Sequence, residues 1–193
     1  MNLYKLHSNP EELTHYHEAQ ETVPHVFWDK YRKSPAELKK REAAIAKDLR
    51  FSYWYAKDVL KDAFLPGEPA IAKSAYHSCA YAKDVLKQPF PAGEPTIAKS
   101  AEYSYVYSRY VLKRQFLAGE VPIAKSAAHS HFYAKNVLNG PFPAGEAAIA
   151  KDAKYTYLYA KDVLNGPFPA GEAAIANNVF YSQKYKTDIL KEK

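Results

Sequence analysis

Isoleucine returns every 26 residues from Glu42 to the end of the chain, at Ile45, Ile71, Ile97, Ile123, Ile149 and Ile175, and the surrounding apolar and polar pattern returns with it. In the second copy, Ala75, Ser78, Cys79, Ala82, Val85 and Leu86 follow the i, i+3, i+4, i+7 spacing of a helix buried on one side, which predicts a helix over 75–87. A shorter helix is predicted ahead of it, on Glu-x-x-Ile-Ala-Lys. Gly67, Gly93, Gly119, Gly145 and Gly171 precede the glutamates of these starts. The glycine is expected to turn the chain at positive φ, and the acid to complement the positive end of the helix dipole. Pro69, Pro95 and Pro122 fall just inside the same starts, where a missing N–H is harmless.

Ser74, Ser100, Ser126, Asp48 and Asp152 stand directly before the longer segment and read as its N-caps. That segment is expected to stop at Pro89, Pro141 or Pro167, the last two after left-handed caps at Asn139-Gly140 and Asn165-Gly166. One loop phenylalanine recurs in phase, Phe64, Phe90, Phe116, Phe142 or Phe168, and reads as a wedge between hairpins. Small residues at Ala46, Ala72, Ala98, Ala124, Ala150 and Ala176 in the first helix and Ala56, Ala82, Ser108, Ala134 and Ala160 in the second would let backbones approach closely. A fixed period of about twenty to fifty residues marks a stacked array, and the period-2 alternation of strands is missing.

The fold expected is therefore all-α. It is an α-solenoid of six 26-residue helical-hairpin repeats over 42–193, the last repeat a polar cap carrying Lys184 and Lys186. Residues 1–41 hold no clean copy. Helix starts at Asn9-Pro10 and Ser34-Pro35, with Val26, Phe27, Trp28 and Tyr31 as apolar contacts, predict an N-terminal helical cap there.

Charge and cysteine change this picture little. A formal charge of +6 is moderately basic, but 21 acids stand against 27 Lys and Arg, so the preference for an acidic partner is weak. The single cysteine, Cys79, excludes an intramolecular disulfide and fits a reducing setting. The N-terminal stretch has no apolar core of a signal peptide, and no run of about twenty apolar residues occurs anywhere. The expectation is a cytoplasmic protein with no membrane association.

Candidate chemistry is sparse. His129 and His131 are in phase with Tyr103 and Tyr105, so they read as swaps at aromatic positions rather than as metal ligands; His15, His17 and His25 have no repeat to fix them. Cys79 replaces the tyrosine of Tyr53 and Tyr105 and reads as a buried or half-buried thiol. The serines at Ser78, Ser104 and Ser130 repeat with the frame, whereas a catalytic group would break it at one place. With no phosphate-binding glycine motif either, the chain is expected not to be an enzyme and to need no cofactor or metal.

Two features remain as binding surfaces. Trp54, Ala80, Val106, Phe132 and Leu158 share one phase but differ in identity, and Arg109-Tyr110 replaces Lys-Asp in the third copy. A fixed frame with a varying face is what a protein-binding solenoid presents. This makes Trp54, Arg109, Tyr110, Phe132 and Leu158 the candidate partner-binding residues. The alternative is a nucleic-acid ladder of Lys57, Lys83, Arg109, Lys135 and Lys161 interleaved with the tyrosines Tyr55, Tyr81, Tyr107, Tyr133 and Tyr159, phosphates on the one and bases on the other. Against the ladder stands a plainer and stronger reading, in which the strict tyrosines pack between repeats with their hydroxyls at the surface and neighbouring acids such as Asp58 and Asp84 offset the lysines. A third class is a small-molecule-sequestering protein with symmetric pockets between repeats.

The string from Gly67 to Ala75, followed by Tyr81 to Lys87, resembles a short tandem repeat of tailed-phage and environmental proteins to which no activity is attached. The resemblance covers Glu42 to about Leu190 and transfers no functional residue. It implies a phage-like origin and, by analogy, a protein that binds and blocks a host factor in the host cytoplasm.

Overall fold

The computed structural model describes residues 39–191. The N-terminal cap expected over 1–41, with its candidates His15, His17 and His25, lies outside the described residues but for its last three positions. Among the described residues there are twelve α-helices and no strand. In chain order the helices are α1 (Glu42–Ile45), α2 (Leu49–Trp54), α3 (Glu68–Ile71), α4 (Ala75–Ala80), α5 (Glu94–Ile97) and α6 (Ala101–Val106). There follow α7 (Glu120–Ala124), α8 (Ala127–Tyr133), α9 (Pro143–Ile149), α10 (Ala153–Tyr159), α11 (Glu172–Ala176) and α12 (Val179–Tyr185). Odd-numbered helices carry the conserved-phase isoleucine, and even-numbered helices follow the predicted N-caps. Each even helix packs against the next odd helix and against the even helices before and after it. The chain is thus a helical repeat stack, and "unit" below means one 26-residue period of it.

The N-caps form as predicted. Ser74, Ser100 and Ser126 accept through their side chains from the N–H groups of His77, Tyr103 and His129, and Asp48, Asp152 and Asn178 do the same in their units. The other end of each long helix departs from expectation. In place of one α-helix over 75–87, the α-helix passes into a π-helical turn at Tyr81–Leu86, and equivalent turns occur at Tyr55–Leu60, Tyr107–Leu112, Ala134–Leu138, Ala160–Leu164 and Lys186–Leu190. Each closes on a left-handed residue whose N–H donates to the carbonyl of the alanine or serine five positions back, or of Lys186 in the last unit. That residue is Lys61, Lys87, Lys113, Asn139, Asn165 or Lys191. In five units the following N–H shares the same carbonyl, as Gln88 does with Ala82 at 3.2 Å. The left-handed cap is therefore general rather than confined to the two Asn-Gly sites, and Asn, not Gly, occupies it there.

The glycines are also corrected. No glycine has positive φ; Gly67, Gly93, Gly119 and Gly171 lie between −88° and −100°. They are required for space instead. A Cβ on Gly93 would sit 2.5 Å from the Ser78 Cβ, and one on Gly119 2.4 Å from the Ser104 Oγ, with the same clash at Ser52, Ser130 and Thr156 in the other units. The hydroxyl at this crossing donates to the isoleucine carbonyl seven residues back, 2.9–3.1 Å in five units, so it ties the long helix to the end of the short one.

The core runs the length of the stack. Ile71, Ile97, Ile123 and Ile149 are fully buried, as are Ala56, Ala82, Ala134 and Ala160 and the loop phenylalanines nearly so. The small-residue row of the long helices is the site of close approach; in the short helices Ala46, Ala72, Ala98, Ala124 and Ala150 are only half-buried and Ala176 is exposed. In the last unit Lys184 and Lys186 are exposed, and the Lys184 ammonium lies 5.1 Å over the Phe180 ring, covering part of an otherwise open apolar end.

Candidate functional site

Two seams join successive units, and they use the polar residues differently. In the inner seam each strict tyrosine hydroxyl accepts from the backbone N–H of the preceding loop phenylalanine: Phe64 to Tyr81, Phe90 to Tyr107, Phe116 to Tyr133, Phe142 to Tyr159 and Phe168 to Tyr185, at 2.6–3.2 Å. The same hydroxyl donates to the glutamate that starts its own unit, as Tyr107 does to Glu94 at 2.8 Å and Tyr133 to Glu120 at 2.9 Å. Ring edges then meet within a unit and its loop, Tyr81 on Phe90 at 5.1 Å and Tyr107 on Phe116 at 5.3 Å between centroids. The expectation that these hydroxyls face solvent is overturned. An orphan loop N–H would be stranded in the core, and the tyrosine is long enough to meet it. Burial, reinforced by the glutamate, pushes the Tyr55 and Tyr159 hydroxyls up to about 12, and Tyr81, Tyr107 and Tyr133 move the same way.

The outer seam joins the π-turns. A tyrosine or its substitute on one long helix faces a residue 31 positions on in the next unit: Tyr53 donates to Asp84 at 3.4 Å, Tyr105 accepts from the Asn136 amide at 2.9 Å, and Tyr157 donates to Asp188 at 2.5 Å. His131 takes the tyrosine's place opposite Asp162, its Nε2 3.3 Å from the carboxylate but off the hydrogen-bonding direction. Burial holds the His131 imidazole below its ordinary range despite that acid. The lysine ladder meets the same acids. Lys57 lies 3.9 Å from Asp84, Lys135 2.9 Å from Asp162 and Lys161 2.9 Å from Asp188, each acid belonging to the next unit rather than to the neighbour in sequence. Hydrogen bonds from Tyr157 and Lys161 hold the Asp188 carboxyl below its usual range.

One junction is built from other parts. In the second unit the tyrosine is Cys79, buried, its thiol pushed up to about 12 by desolvation; in the third the facing acid is Tyr110. Two departures that look unrelated along the chain thus fall at matching positions, 31 residues apart like the other rungs, while the Cys79 thiol itself donates to the Tyr103 carbonyl at 4.0 Å. Lys83, with no carboxylate at 110, turns to its own neighbour Asp84 at 3.6 Å. Arg109 lies over the Tyr110 ring at 5.4 Å and reaches the Asn136 carbonyl at 3.4 Å. The matching positions of Cys79 and Tyr110 were available to sequence reading as two changes at the spacing of the other rungs.

The predicted partner-binding residues divide between seam and surface. Trp54, Phe132 and Leu158 are half-buried against the core, and Ala80 and Val106 of the same phase are buried. Phe132 lies between Tyr105 at 6.1 Å and Tyr155 at 6.3 Å, so this phase is the edge of the stacking surface between long helices. Tyr110 is more open, 37 % exposed, and within the next twelve residues Leu117 and Val121 are 70 % and 66 % exposed. Lys47, Lys73, Lys99, Lys125 and Lys151, at the ends of the short helices, are all exposed.

The histidines sit as aromatic substitutes. His77 and His129 turn Nδ1 to the N-cap serines Ser74 and Ser126, 3.0 and 2.9 Å away, and pack edge-on or tilted on Tyr53 and Tyr105. Burial, with a smaller push from Arg50, takes His77 down to about 4, and His129 moves in the same direction. Among the described residues no group of three or more His, Cys, Asp or Glu side chains could hold a metal ion, and no helix is long and apolar enough to cross a membrane. Two shallow clefts occur between π-turns at equivalent phase, one of about 160 Å³ between the third and fourth units and one of about 150 Å³ between the fifth and sixth. No family model matches this chain, and no curated protein or solved structure proves similar to it.

Proposed function

We propose that this chain is a non-enzymatic scaffold that binds another protein, with its contact region at the junction of the third and fourth units. The observation that carries this reading is a contrast within the third unit. Its buried frame residues, Ile97, Ser104, Tyr107 and Phe116, keep the repeat, whereas Arg109 and Tyr110 depart from it at half-buried and exposed positions, with Arg114 exposed nearby. Exposed Leu117 and Val121 follow. Arginine, tyrosine and aliphatic side chains together are the composition of a protein-interface core. The recurring serines, glutamates and tyrosines are engaged in hydrogen bonds within and between units, which supports a structural role for them. A host factor is the partner class that the phage-like resemblance adds.

The alternative nucleic-acid ladder fares less well on the same geometry, because Lys57, Lys135 and Lys161 already face carboxylates of the next unit. A tagged full chain and its Tyr110→Ala and Leu117→Ser variants, passed over host lysate with and without nuclease, test the proposal. A protein retained by the parent after nuclease and lost with either variant is the expected result. Recovery only of nuclease-sensitive material, with affinity falling steeply in salt, would overturn it.

A further inference from the structure

The exposed side of the short helices carries two rows that repeat with the units. Lys47, Lys73, Lys99, Lys125 and Lys151 form one; Ala43, Pro69, Pro95, Val121 and Ala147, four positions earlier in each unit, form the other, and every one of them is exposed. Positions four apart lie on one side of a helix, about one turn from each other. The acids of these helices are turned away from that side. Glu42, Glu68, Glu94, Glu120 and Glu146 are half-buried and accept from the strict tyrosines at 2.8–3.1 Å. The position after each lysine holds the N-cap, and where that is an aspartate, Asp48 or Asp152, its carboxylate accepts from N–H groups of the long helix. Among the described residues no carboxylate stands within ion-pair distance of the five lysines, whereas Lys57, Lys135 and Lys161 on the long helices each face one. A lysine here also answers the carbonyl end of its short helix. That accounts for one cation per unit, not for the inward turn of every glutamate. In the sixth unit Asn177 turns its amide to the Ala173 carbonyl at 3.0 Å, and the lysine row ends.

We infer that this side of the stack is a docking surface for an acidic amphipathic helix of a partner protein. Its carboxylates meet the lysine row, and its apolar residues meet the row of alanine, proline and valine beside it. The spacing fits. Packed helices lie about 8–10 Å apart, which sets the advance from one lysine to the next, and seven residues of an α-helix advance about 10 Å. An acid at every seventh position therefore keeps step with the units. Two other anionic partners suit the surface less. Neither row has an aromatic side chain to stack a base, so a single-stranded nucleic acid would use only the charges. None of the apolar residues is the tryptophan, phenylalanine or leucine that anchors an interfacial segment in a bilayer. The inference rests on the scaffold reading for the existence of a partner, but it shares only Val121 with the contact region proposed above, so the two can fail separately.

The test is a titration of the full chain, at constant ionic strength, into a fluorescent synthetic helical peptide with glutamate at every seventh position and leucine one turn away, followed by anisotropy. Saturable binding is expected, tighter than that of a scrambled peptide of the same composition. The combined Lys73→Glu, Lys99→Glu, Lys125→Glu variant should bind about tenfold or more weakly, because cations become anions along the docking side. Its circular dichroism and urea midpoint should match the parent, since these side chains are exposed. Val121→Ser should weaken binding as well, through the apolar row alone. Tyr110→Ala should leave peptide binding unchanged. Equal binding of the scrambled peptide, an unaffected lysine variant, or tighter binding of a single-stranded oligonucleotide of equal charge or of anionic phospholipid vesicles would overturn the inference. Peptide binding that survives the failure of every lysate capture would retain this surface and overturn only the contact region at Tyr110 and Leu117.

Discussion

The inner and outer seams join the same units, yet one barely changes and the other changes at nearly every junction. The inner seam repeats Ile, Gly, Tyr, Phe and Glu in phase, and its tyrosine, phenylalanine and isoleucine are essentially without solvent exposure in most units. The outer seam uses Tyr with Asp, Cys with Tyr, Tyr with Asn, and His with Asp in turn. Depth of burial does not separate the two, since Tyr53, Cys79, Tyr105, His131 and Tyr157 are only 1–4 % exposed. A change inside strands a backbone N–H or forces a clash, whereas the outer residues meet side chains of the next unit that can change with them. The proposed contact region lies on the side of the stack where the residues vary.

The largest expected break of this contrast is Gly119→Ala, whose new Cβ would overlap the Ser104 side chain. It should cost about 3 kcal/mol, read as a fall in the urea midpoint, with part of the loss recovered in the Ser104→Gly, Gly119→Ala double variant. Tyr107→Phe comes next. It leaves the Phe90 N–H, now bonded at 2.8 Å, without its acceptor, and should cost about 2 kcal/mol.

Acid acts on the histidines that replace tyrosines. The unfolded chain protonates His77 near 6.5, while burial keeps it neutral in the fold until about 4. Its contribution is complete above pH 6.5 and declines as pH falls toward 4, with a limiting slope of about 1.4 kcal/mol per pH unit. Asp48 opposes and Arg50 reinforces this shift. His77→Tyr, the residue at 103 and 155, should flatten that limb in denaturation measured from pH 7 to 4; an unchanged limb would assign it to other groups. The smallest effect is outside. Lys135→Ala removes an ion pair whose lysine is half exposed and should cost about 0.5 kcal/mol, vanishing in high salt.

Much of the array was legible along the chain because its units are defined by local rules. N-caps at Ser74 and Asp152, helix starts at the glutamates and the small-residue row all follow from spacing and side-chain chemistry within one period. What escaped reading depended on contacts between units. Positive φ was expected at Gly93 because glycine usually signals a turn, and only the stacked helices reveal that Ser78 needs the space. The tyrosine hydroxyls were placed outside because the chain gives no hint that the Phe90 N–H would be left needing an acceptor. The candidate residues were legible as variation, in Arg109 and Tyr110. That Tyr105 meets Asn136 and Lys135 meets Asp162 required knowing which residue faces which across 27 to 31 positions.

From residue order alone come the period, the helical class, the caps and the places where the pattern breaks, since these depend on interactions a few residues apart. The tertiary structure decided the direction in which each polar group is used. Glu94, a helix-start acid by sequence, becomes the acceptor for Tyr107, and Lys57 is offset by an aspartate of the next unit rather than by its neighbour. The physical reason is that these bonds close only when one unit is laid on another, and the register of that stacking is set by the packing of Ile, Ala, Tyr and Phe in the core.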